Sequence, residues 1–96
     1  MAQFDLGQLV MTRGIADLVE ENAGFAKHVM RALQRYTSCD WGDLCEEDAQ
    51  MNDSAIGPDG GRILAAYEHP EHSDWRLWVV TEWDRSVTTL LFPHEY

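Results

Sequence analysis

The stretch CDWGDLCEEDAQMND, Cys39 to Asp53, holds six carboxylates, two thiols and a tryptophan, and no lysine or arginine. Carboxylates at this density serve as metal ligands, as acid–base pairs or as a charged contact surface. The thiols Cys39 and Cys45 are spaced C-x5-C, which is not a zinc spacing, and as the only two cysteines they read as reduced thiols. A second cluster, EHPEHSDW, brings His69 and His72 together with Glu68, Glu71 and Asp74. Metal enzymes that use two histidines place them on a helix. Here Pro70 interrupts the pair between two strand-like runs, so the cluster reads as a polar surface turn. His28 and His94 have no partners nearby in sequence.

Catalysis finds little support. The chain has no nucleophile elbow, no phosphate-cradling glycine loop and no signature of an activated thiolate. A carboxylate pair picked from seventeen acids carries no information about hydrolysis. The protein is therefore expected to be no enzyme, with no metal and no cofactor.

The elements that must position these residues are those of one small domain over residues 1–96, which has room for a single core. GQLVMTRG suggests an edge strand over 8–13, and IADLVEE a short helix. Phe25, Ala26, Val29, Met30, Leu33 and Tyr36 recur at steps of three and four, the period of an amphipathic helix. Lys27, Arg31 and Arg35 fall largely off that stripe, so this helix is the basic part of the molecule. DLCEEDAQMNDSA reads as a third helix, capped by Asp43 with Glu46 as the capping-box partner. RILAAYE, WRLWVVTEW and VTTLLFP follow as three strands with short connections, an antiparallel meander. In the second connection Asp84 is placed to bond the turn backbone, leaving Arg85 free to reach a carboxylate elsewhere. The middle strand carries apolar bulk on both faces and should be central. The expected fold is α+β, about three helices on a three- to four-stranded antiparallel sheet.

On the acidic helix, a rotation of about 100° per residue puts Asp43, Glu46, Glu47 and Asp53 on one side. Leu44, Met51 and Ala55 lie on the other, and Asp48 falls among them. A charge at such a core-facing position needs a partner, so an Asp48–arginine pair is expected to pin the helix to the sheet. First-turn acids alone would follow from the helix dipole. Asp53, Asp59 and the absence of any base between Arg35 and Arg62 would not. A face of one sign can present carboxylates where a basic groove expects phosphates. Asp40, Asp43, Glu46, Glu47, Asp53 and Asp59 are the candidate contact residues.

The net charge of -10 disfavours direct binding to nucleic acid or anionic lipid and favours a basic protein partner. No apolar run approaches the roughly 20 residues of a membrane span, and no signal peptide is visible, so a cytoplasmic protein is expected.

LVMTRGI, DWGDLCEED, GRILAAYE and WVVTEWDRSVTTLLFPHEY together resemble a family of short acidic proteins found on plasmids and integrative elements of bacteria. Its members are often called plasmid-related proteins or type I restriction-modification subunits. The chain is too short for a methyltransferase and lacks a cofactor-binding glycine motif. The resemblance implies carriage on mobile DNA and an anti-CRISPR or antirestriction role, in which a small acidic protein covers the basic surface of an RNA-guided effector or restriction nuclease. The alternative is an accessory of the element itself, a self-associating protein or homo-oligomer with no defence role, for which tryptophans on both faces of the middle strand leave apolar surface.

Overall fold

A computed structural model describes residues 4–44, 46–56 and 60–96. The chain starts with a short strand, β1 (Gln8–Met11), and passes through three helices, α1 (Arg13–Glu21), α2 (Ala23–Thr37) and α3 (Glu46–Ala55). It then builds the expected meander from β2 (Ile63–Tyr67), β3 (Leu77–Thr81) and β4 (Val87–Leu91). The strand order is β1-β4-β3-β2, which makes β3 internal. The class is α+β, but the sheet is mixed, because β1 pairs parallel to β4. The reason is topological. A parallel pair cannot be joined by a tight turn and needs a long crossover, which the helical segment after β1 supplies, whereas the tight turns of the meander reverse the chain. The helical segment separates β1 from β2, and only the later strands are joined by short connections.

Asn22 lets α1 and α2 meet at a corner. Its N–H closes α1 on Leu18 O, and its side chain accepts the Phe25 N–H at 3.1 Å to start α2. One side of the sheet supplies Ile63, Ala65, Tyr67, Leu77, Val79 and Leu90, all fully buried against Ile15, Phe25, Val29 and Tyr36 of the helices. In α2 the buried side is Phe25, His28, Val29, Ala32 and Tyr36. Met30, expected on the apolar stripe, is 60% exposed, and His28 takes a place inside.

A row of hydroxyls crosses this core. Tyr36 Oη, Thr81 Oγ1 and Thr88 Oγ1 are linked at 2.7 and 2.8 Å, and Thr88 donates to Leu6 O at 2.7 Å. That last bond uses the only Thr88 proton, so Thr81 donates to Thr88 and Tyr36 to Thr81. Every hydroxyl is satisfied, and burial pushes the Tyr36 phenol up to about 12.

Candidate functional site

The acidic segment is built against the outer edge of β2. An edge strand exposes unpaired backbone groups, and here Trp41, Gly42, Asp43 and Asn52 cover them. Gly42 forms a parallel bridge to Ala66, with Asp43 N–H donating to Ala66 O at 2.7 Å. A Cβ at Gly42 would run into Ala66 O, and its φ of +74° favours glycine. Asn52 then acts as a short piece of strand: its side-chain amide donates to Leu64 O at 2.7 Å and accepts the Leu64 N–H at 3.2 Å. Asp43 Oδ2 accepts the Glu68 N–H at 2.8 Å.

These bonds set the rotation of α3. Asn52 and Ala55 are buried, and Ala49 and Ile56 pack beside them. Met51 is 70% exposed. The buried side is thus turned by roughly a quarter-turn from the Leu44–Met51–Ala55 side expected from apolar spacing. Two expectations are corrected. The helix is described from Glu46, and the Asp43 carboxylate accepts the Glu68 N–H, with no bond to the backbone of α3 among the described residues. Asp48 is exposed and enters no ion pair among the described residues, because Asn52 holds the inward position that the pairing required.

The candidate contact residues divide into two kinds. Glu46 and Glu47 are exposed in the first turn of α3 beside Asp48. Asp40, Asp43 and Asp53 are also exposed, but each has internal work as well. Asp40 takes a forked bond from Arg35 at 2.8 and 3.2 Å. The Arg35 hydrogen bond is the main reason that the Asp40 carboxyl titrates below its usual range. Asp53 accepts the Trp41 indole N–H at 2.9 Å, which ties α3 to the loop before it. Burial, and after it the Asp53 charge, raises the Cys39 thiol and so disfavours a reactive thiolate there. Asp59 and the Cys45 side chain lie outside the described residues. Among the described residues, none of Asp43, Glu46, Glu47, Asp48 and Asp53 is in an ion pair.

The histidine turn packs onto α2 and onto Trp75. His28 of α2 lies with its ring centroid 5.2 Å from that of His69, His69 is 5.1 Å from His72, and His72 stacks on Trp75 at 3.8 Å. His28 Nε2 is 3.1 Å from Trp75 O. The signal for His28 was present in its spacing, three residues after Phe25 and one before Val29, on the buried side of α2. Among the described residues no group of three or more His, Cys, Asp or Glu is arranged to hold a metal ion. No helix among them is long and apolar enough to cross a membrane.

No family model matches the chain, and neither a curated protein nor a solved structure matches it.

Proposed function

We propose that this protein is a noncatalytic inhibitor that sets its acidic flank into the basic groove of a bacterial nucleic-acid-targeting defence nuclease, of the restriction or RNA-guided kind. One observation carries the reading: Asp43, Glu46, Glu47, Asp48 and Asp53 are exposed without an ion pair among the described residues, in a segment free of lysine and arginine. Like charges at close spacing repel, so leaving them uncompensated works against stability. They gain that energy back on a surface of opposite sign. The nuclease class rests on the resemblance to short mobile-element proteins.

The test is retention of a nuclease from lysates of bacteria that carry such systems, followed by a cleavage assay on what is retained. The native protein should hold the nuclease at low salt, block its cleavage and release it near 1 M salt, where screening shortens to about 3 Å. Glu46→Lys combined with Glu47→Lys should lose both effects while folding normally. Equal inhibition by that variant sinks the phosphate-surrogate mechanism.

Leu9 and Met11 favour a second reading. They are 46% and 45% exposed on β1, the edge strand opposite β2. An open edge with apolar side chains suits self-association, as in an accessory protein of the element. A dimer in sedimentation that persists at high salt and is lost in Met11→Lys would support it; a monomer at every salt concentration would remove it.

A further inference from the structure

The seven bases of the chain are unequally engaged. Arg13, Arg35, Arg62 and Arg76 pair with Asp17, Asp40, Glu82 and Glu68. Arg85 donates to three backbone carbonyls. Lys27 and Arg31 remain, both exposed and without an ion pair among the described residues. Seventeen acids in the chain make two unclaimed cations the less expected outcome. They are four residues apart on α2, hence neighbours on its surface, and both line one groove of about 910 Å³.

The connection between β2 and β3 forms the other wall, with His69, Glu71 and His72. The Glu71 N–H donates to His69 Nδ1 at 3.1 Å, so a neutral His69 carries its proton on Nε2 as a donor. Stacking of His72 on the buried Trp75 holds this wall in shape. Arg35 and Glu68 also line the groove, but each is already paired. Glu71 is the one opposing charge left.

We propose that this groove binds a phosphate group, free or as a small monoester, between the Lys27 and Arg31 cations and the His69 and His72 imidazoles. A phosphate offers oxygens in several directions and can take donors from both walls, whereas a carboxylate presents two in one plane. The groove is roomy enough for an organic group attached to it. Glu71 and the net charge of -10 set it against polyanions, so nucleic acid is not the ligand.

Titration calorimetry at low salt with AMP, inorganic phosphate and adenosine tests this. AMP and phosphate should bind, and adenosine should not. AMP binding more tightly than phosphate identifies a monoester site, and equal affinity identifies free phosphate. Lys27→Gln combined with Arg31→Gln should weaken AMP by at least about tenfold. Both side chains are exposed, so the circular dichroism spectrum should not change. Glu71→Gln should tighten AMP, an effect that a purely structural role would not produce. The proposal fails if adenosine binds as well as AMP, if the double variant binds AMP unchanged, or if neither phosphate nor AMP binds at roughly 10 mM, the limit of a useful interaction.

Discussion

Asn52 is 5% exposed on a helix whose neighbouring residues Met51 and Asp53 face solvent. Its amide replaces the strand that β2 lacks on that side, which is why a polar residue outcompetes Met51 for the inward position. Asn52→Ala should therefore destabilise by about 2 kcal/mol, measured by urea unfolding, since Leu64 loses partners for both N–H and C=O. Asn52→Asp keeps the acceptor but turns a carboxylate toward Leu64 O, so it should be worse than alanine at neutral pH and improve on acidification. Asp48→Asn, by contrast, should leave stability within about 0.5 kcal/mol, as for an exposed residue without partners. A midpoint shift well beyond that would restore the buried pair expected from apolar spacing. That spacing misjudged α3 because it counts transfer of side chains from water and takes no account of an edge strand's hunger for hydrogen bonds. Leu64 is 12 residues along the chain from Asn52, and nothing local in the sequence marks the match.

Elements in this protein are fastened at their ends by side chains from far along the chain. Arg85, at a φ of +59° in the β3–β4 turn, donates to Ala55 O at 2.8 Å, Gly61 O at 2.6 Å and Glu82 O at 3.1 Å. It thereby closes the C-terminal end of α3 and ties it to the meander, instead of reaching the carboxylate that its charge suggested. Glu95 does the converse at α1. Its carboxylate accepts from Thr12 Oγ1 at 2.6 Å and from the Gly14 N–H at 3.3 Å, where a negative charge complements the helix N-terminus. Arg85→Ala should cost about 2–3 kcal/mol, because charged donors leave several carbonyls bare, and Arg85→Lys should recover little of it, lacking the fork. Recovery by lysine to near the native midpoint would mean that charge alone matters there. Asp84 behaves as its residue type implied and accepts from the Ser86 N–H at 3.1 Å. The contrast explains what was legible. Periodicity and turn residues act within a few positions, and they revealed α1, α2, α3 and the meander. The parallel pairing of β1, the caps from Arg85 and Glu95, and the meeting of His28 with His69 join residues far apart in sequence, and no local pattern encodes them.

For the whole molecule, acid should act in two separate steps. Burial holds the His28 imidazole below its ordinary value of 6.5. The carbonyls of Trp75 and Tyr67 favour its charged form, while His69 and Arg35 oppose it, and burial prevails. The unfolded chain then binds a proton near pH 6.5 that the folded chain resists, so stability is full above that pH and declines as pH falls through it. Lys27 and Arg31 on the same groove add positive charge around His28, and Glu68 and Glu71 offset part of it. Asp40 and Glu95 work in a lower window. For Asp40 the Arg35 hydrogen bond outweighs burial, and for Glu95 the bonds from Thr12, Phe92 and Gly14 overcome the burial that would raise it. Both carboxyls are held below their usual range, so their contribution is present above the unfolded values and is lost as pH drops below about 4.5. Relief of self-repulsion from the net charge of -10 has the opposite sign and comes mostly from the seventeen acids, whose titration lies in that lower window. The interval from pH 5.5 to 7 therefore isolates the histidine effect. Urea midpoints should fall as pH is lowered from 7 to 5.5 in the native protein, and His28→Gln, which can still donate to Trp75 O, should flatten most of that slope. An undiminished slope in the variant would mean that the buried imidazole is not what makes the fold sensitive to mild acid.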